Sequence, residues 1–163
     1  MVLYVEVLPK PWFDLRRYKE VRLREAIYEA EIAERFLEEG LVRNAAGKAF
    51  QSWKAVVAAR SVDKLEELKK AFPGRKRLRG SRRVVEKAMW IIAVMPTSAL
   101  KKVAQIIGGE VDLYTNLALL LHEYQYNGPD PEGILSIYPD DESAARDVKT
   151  LIEKARQLAS TSL

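Results

Sequence analysis

EAEIAERFLEEGLVRNAAGKAFQSWKAVVAAR, residues 29–60, decides the fold. Before Gly40, apolar residues recur at steps of three and four: Leu23, Ile27, Ala30, Ala33 and Leu37, with Ala26 alongside. That spacing predicts a helix from about Arg16 to Glu39, roughly 36 Å long at about 1.5 Å per residue. Gly40 takes the natural position just past its end. After Gly40, Val42, Ala45, Ala46, Ala49, Phe50, Trp53, Val56 and Val57 form the apolar face of a second helix over residues 41–59. Its many alanines allow a neighbouring helix to approach closely, which suits a bundle.

Reading outward, Pro9 and Pro11 punctuate a short apolar stretch, so residues 1–13 read as an extended N-terminal arm. Ser61 and Asp63 offer a capped start to a short helix that stops near Phe72, before Pro73-Gly74. A basic loop follows at 73–83. Val84 to Val94 is strongly apolar and Pro96 interrupts it; Thr97 or Ser98 caps a further helix ending at Gly108-Gly109. Residues 110–126 read as another helix, with Leu113, Leu117, Leu120, Leu121 and Tyr124 toward the core and Asn127-Gly128-Pro129 as its stop. Asp140 caps the last helix, whose stripe is Ala144, Val148, Leu151, Ile152, Ala155 and Leu158. No internal repeat is visible. The expectation is an all-α bundle of five to seven helices, one domain over residues 14–163.

Composition narrows the chemistry. Zero cysteines exclude disulfide scaffolds, thiol catalysis, zinc ribbons and iron–sulfur clusters. One histidine removes most histidine metal sites and any two-histidine mechanism within one chain. No apolar run approaches the roughly 20 residues a membrane helix needs, and the N-terminus lacks the pattern of a secretory signal. These features suggest a soluble, cytoplasmic protein with no membrane partner. No cofactor or metal is expected. Glu31, Glu34 and Glu38 share one side of the first helix, but a di-metal bundle site needs inward Glu-x-x-His pairs, and Leu119 stands three before His122. The segment Gly40–Lys48 superficially suggests a phosphate-binding loop. Six residues separate its glycines instead of four, Ala49 follows the lysine, and no strand precedes it.

Charge is the informative quantity. The chain carries +4, yet GRKRLRGSRR (residues 74–83) alone holds Arg75, Lys76, Arg77, Arg79, Arg82 and Arg83, so +4 less six leaves −2 elsewhere. No acidic residue occurs between Glu67 and Glu86. Clustered positive charge favours polyanions, because neutralising phosphates releases condensed counterions. With no Phe, Tyr or Trp from Pro73 to Met89, the cluster lacks its own platforms for stacking bases, so the expectation is contact with backbone and not with sequence.

Two further constellations stand out. His122 lies in LLHEYQYNG with Tyr126 one turn later on the same face; this pair reads either as acid–base machinery or as a half-buried structural histidine. On the second helix Asn44, Lys48 and Ser52 recur every fourth residue as a solvent strip, with Arg43 and Lys54 near its ends. Arg43, Asn44 and Lys48 are therefore candidate anion ligands.

The stretches GLVRNAAGKAFQSWKA and HEYQYNG together resemble the archaeal PaREP family and, through it, the HEPN superfamily, over roughly residues 15–160. The resemblance implies an antiparallel helical bundle that often dimerises, in a group rich in RNA-processing and toxin–antitoxin components. It also implies a metal-independent ribonuclease signature, an Arg a few residues before a His. His122 matches that His; Thr115, Asn116 and Leu117 stand where the Arg belongs, and none is basic. Three readings follow. The first is a HEPN-like homodimer that binds RNA or another polyanion through Arg75–Arg83 with little or no catalysis. The second is a ribonuclease using His122 and Tyr126, with Arg43 or Lys48 as the substitute cation. The third is a helical module that binds a partner protein.

Overall fold

A computed structural model describes residues 6–162. Seven α-helices and one two-stranded hairpin follow in order among them: α1 (Leu15–Glu38), α2 (Val42–Ser61), α3 (Leu65–Ala71), β1 (Arg75–Arg77), β2 (Val84–Glu86), α4 (Lys87–Val94), α5 (Thr97–Ile107), α6 (Gly109–Asn127) and α7 (Asp141–Ser162). The all-α bundle expected from periodicity is therefore what the chain forms. Helix α2 is its axis, packing against α1, α5, α6 and α7. Thirteen of its twenty residues are buried, so it is enclosed on nearly every side and not merely along one stripe.

The sequence explains that position. Alanines on α2 (Ala45, Ala46, Ala49, Ala55, Ala58, Ala59) share one buried core with Ala26, Ala30 and Ala33 of α1 and Ala144, Ala155 and Ala159 of α7. Trp53, Phe50, Tyr18 and Tyr124 fill the volume that these small residues leave. Gly40 at φ +77° turns the chain between α1 and α2, a conformation that costs a side chain carrying a Cβ. Gly47 has a different purpose: a Cβ there would lie 2.6 Å from the Gln125 side chain, so its absence lets α2 and α6 close together.

Four local expectations are corrected. Residues 73–83 are not simply a loop between helices: Arg75–Arg77 pairs antiparallel with Val84–Glu86, with Lys76 opposite Val85. The period-two alternation places Lys76 and Val85 inward while Arg75, Arg77, Val84 and Glu86 stay exposed. Ser61 does not cap a following helix; it is the buried last residue of α2, and its hydroxyl donates to the Ala58 carbonyl (2.6 Å). A short 3₁₀ turn, Val62–Lys64, leads into α3 without a side-chain cap from Asp63. Neither Thr97 nor Ser98 caps α5, which Pro96 precedes in extended geometry. On α6 the core positions are Val111, Thr115, Ala118, Leu121 and Tyr124, whereas Leu113 is 67% exposed. The Asp140 cap does form, accepting from the Ser143 N–H at 2.7 Å.

Of the N-terminal arm, residues 1–5 lie outside the described residues. From Glu6 the chain runs irregularly to a turn at 11–13, tied to α1 by Glu6 and Arg24, and Asp14 caps α1 through the Arg17 N–H at 3.0 Å. Helices α4 and α5 are bent by 103° at Met95-Pro96, where Met95 is buried at φ +43°. The carbonyls freed there are satisfied from α1: Tyr18 donates to Ile92 O, and Arg22 to Ala93 O at 2.8 Å. No single helix among the described residues is long and apolar enough to cross a membrane.

Trp53 tests the role of α2. Its indole N–H donates to Thr115 Oγ1 (2.9 Å), and that hydroxyl in turn donates to Val111 O. Trp53→Ala is expected to lower the unfolding free energy by about 3–5 kcal/mol in a urea titration, and Trp53→Phe by less, since the phenyl keeps most of the volume.

Candidate functional site

The hairpin is the most positive part of the surface, and its architecture keeps it so. Arg75, Arg77, Arg79, Arg82 and Arg83 are exposed, and Lys76 is half-buried. Among the described residues none of these six forms a salt bridge. The hairpin's own carboxylate, Glu86, is 3.6 Å from Lys69. Backbone bonds define the turn: Leu78 N–H to Arg83 O (2.9 Å) and Ser81 N–H to Leu78 O (3.1 Å). Arg77 Nε adds a bond to Ser81 O at 3.2 Å. Arg77, Arg79 and Arg82 line a shallow concavity at the tip with Leu78, Gly80 and Ser81.

Two cation–π contacts join the hairpin to aromatic residues outside it. Lys76 Nζ sits 3.9 Å from the Trp90 ring centre on α4, and the Arg83 guanidinium lies 4.8 Å from the Phe13 ring at the entry to α1. Aromatic residues thus border the basic cluster although its sequence contains none. The positions differ in kind: Trp90 is half-buried, while Phe13 is 67% exposed. Sequence reasoning missed both. Phe13 is 70 residues from Arg83, and the only local hint is an aromatic pair, Trp12-Phe13, directly after Pro11.

The second constellation lies where α2 crosses α6. His122 stacks on Phe50 (ring centres 4.1 Å apart, 24° between planes) and meets Tyr126 edge-on at 5.1 Å. Its Nδ1 is enclosed and has no hydrogen-bond partner among the described residues. Burial pushes the imidazole below its ordinary value; the Gln125 side chain opposes that shift, the Lys54 ammonium reinforces it, and Glu123 opposes it. Lys54 is itself lowered, by burial first and then by Arg22. Tyr126 is exposed.

The proposed cations around His122 have other duties. Arg43 donates to Gln125 O (3.0 Å) and Tyr126 O (2.6 Å), satisfying carbonyls at the α6 C-terminus. Lys48 pairs with Glu29 at 3.1 Å. Asn44 is exposed and shares a concave surface with Arg43 and Gln125. Ser52 does not belong to that strip: it is buried, its hydroxyl donating to Ala26 O at 2.6 Å. Thr115, one of the positions in the ribonuclease spacing, is committed to Trp53 and Val111 inside the core. No group of three or more His, Asp or Glu residues suited to holding a metal ion occurs among the described residues.

Comparison with protein families matches residues 21–149 to the model described as the archaeal PaREP1/PaREP8 family. That span includes the hairpin and His122 and begins after Phe13. No curated protein and no solved structure matches the chain.

A histidine held below its ordinary value favours the neutral form in the folded chain, so the unfolded chain binds the proton more readily. Its contribution to stability is therefore complete above about pH 6.5 and is lost as pH falls toward the folded value. Urea unfolding at about pH 7.5 and about pH 5 should show wild type losing more stability between the two than His122→Phe.

Proposed function

The chain belongs to the archaeal PaREP1/PaREP8 family, and on that premise we propose that it is a HEPN-like helical protein that binds RNA through the Arg75–Arg83 hairpin. One observation carries the reading: six cations on one short hairpin, none of them in a salt bridge among the described residues, on a chain whose remainder is net negative. On the helices, several cations are paired. Lys19 pairs with Asp63, Arg156 with Glu34, Lys154 with Glu110 and Lys101 with Asp112. Unpaired cations clustered on one hairpin give a local positive potential that opposite charges would otherwise cancel.

In this reading the protein works in the cytoplasm, with little or no cleavage of the RNA it holds. Phosphodiester cleavage through the 2′-hydroxyl needs a base together with a cation at the developing charge. His122 is stacked on Phe50 with its Nδ1 enclosed, and Arg43 and Lys48 are engaged in packing and pairing. The protein acts as a homodimer. The surface that supports self-association surrounds the end of α6, where Tyr126, Ile134, Leu135 and Ile137 are all exposed. The loop bearing the last three is shaped by Asp130, whose side chain accepts from the backbone N–H groups of Gly133, Ile134, Leu135 and Ser136.

The test is binding of a short mixed-sequence RNA over a range of salt, in EDTA. Six phosphate contacts on a single strand give a log–log slope near −4, and the Arg75/Arg77/Arg79/Arg82→Ala variant, with two cations left, a slope near −1.4. Equal affinity in the two proteins, or no dependence on salt, overturns the reading. RNA cleavage in EDTA that His122→Ala abolishes would instead establish a ribonuclease, and tight binding of polyphosphate with none of RNA a different polyanion.

A further inference from the structure

We infer that Phe13 is a base-stacking platform, and that the hairpin therefore takes unpaired nucleic-acid strands in preference to duplexes. This rests on the hairpin being the nucleic-acid surface and adds the class of strand that it accepts. A singly exposed phenylalanine is ordinary on a protein surface and by itself says nothing. Phe13 stands in a particular place. The Arg83 guanidinium lies over its ring at 4.8 Å, so an aromatic surface and a phosphate-binding cation are side by side at the edge of the six-cation cluster.

The ring is also held. Trp12 meets it edge-on, with ring centres 6.3 Å apart, while Phe13 N–H bonds to Lys10 O at 3.0 Å and Asp14 is fixed as the α1 cap. The backbone is therefore ordered before any ligand arrives, and a phenyl ring has only two torsions to fix. Lys10, Arg16 and Arg17 flank it as exposed residues; Asp14 is the neighbouring carboxylate, and it accepts from the Arg17 backbone N–H. Trp90, the other aromatic at the hairpin, is half-buried beneath Lys76 and serves as an anchor.

Stacking requires an unpaired base. In a duplex the base faces are covered by their neighbours, so an exposed ring beside a cationic edge gains only from single strands or from splayed loops. Phosphate contacts made by the arginines would form with either. Discrimination between strands therefore belongs to Phe13, and affinity belongs mainly to the hairpin.

The competing role for Phe13 is to anchor Arg83 and thereby the hairpin. Four ligands separate the two: a short mixed-sequence single-stranded RNA, the DNA of the same sequence, the blunt RNA duplex, and polyphosphate, which has charge and no bases. Each is titrated against wild type, Phe13→Ala, Phe13→Trp and the four-arginine variant. The expected result is a loss of roughly tenfold or more for Phe13→Ala on both single strands, recovery in Phe13→Trp, and less than twofold change on duplex and polyphosphate. A matched loss on polyphosphate shows an anchoring role and overturns the inference, as does unchanged single-strand affinity in Phe13→Ala. If the four-arginine variant binds as wild type does, the hairpin reading itself fails, whatever Phe13 does.

Discussion

Everything in this molecule is arranged around a helix that has almost no solvent face. Enclosing α2 on several sides is feasible only because so many of its residues are alanine, which lets α1, α6 and α7 come near without overpacking. Enclosure also imposes a polar constraint. A hydroxyl or N–H carried inward needs a partner, and the three fully buried polar side chains of α2 find one: Ser52 on the Ala26 carbonyl, Trp53 on Thr115, Ser61 on Ala58. Two of those three tie α2 to another helix, so they fix its rotation and height as well as satisfying the groups involved. The missing Cβ of Gly47 then sets how closely α6 lies, and thereby puts His122 on Phe50.

The same constraint separates the charges. A bundle whose interior is full of small apolar residues must carry its charge outside, where i,i+4 and interhelical pairs offset part of it: Arg16 with Glu20, Arg35 with Glu31, Arg156 with Glu34. Such exposed pairs contribute little to stability. Their effect is on the field. They offset charge on the helices, whereas the hairpin concentrates six cations with no salt bridge among the described residues. Each of its two aromatic contacts uses a cation without removing its charge, since a ring quadrupole attracts a cation but does not neutralise it.

The helices were legible because burial follows a 3.6-residue period that the sequence repeats over long stretches. The amphipathic segment before Gly40, the apolar, alanine-rich segment after it and the stripe on α7 needed no tertiary information. Legibility failed where a residue's environment comes from afar. Ser52 looks like part of a polar strip, yet α1 covers it and offers the Ala26 carbonyl. Leu113 looks like a core leucine, yet it stays largely exposed. The basic run reads as a loop because its breakers, Pro73, Gly74, Gly80 and Ser81, are conspicuous, whereas the three-residue strands are too short to display alternation. The charge of the cluster was plain from composition. Its aromatic border was not, because Phe13 and Trp90 come to it from opposite sides in the sequence, one before α1 and one within α4.

A hairpin is a suitable carrier for such a cluster. In a free loop, ordering several arginines and the backbone between them would cost conformational entropy at the moment of binding. Here the ladder, the turn bonds and the Lys87 N–H to Gly74 O bond at 2.9 Å order the main chain beforehand, leaving only long side chains to adjust. In the proposed role, residual freedom of that kind suits phosphates at varied positions and not the reading of bases. If the proposed RNA role holds, any preference among nucleic acids originates in a rigid group beside the arginines, and a ring fixed by its own backbone turn meets that requirement where another flexible cation would not.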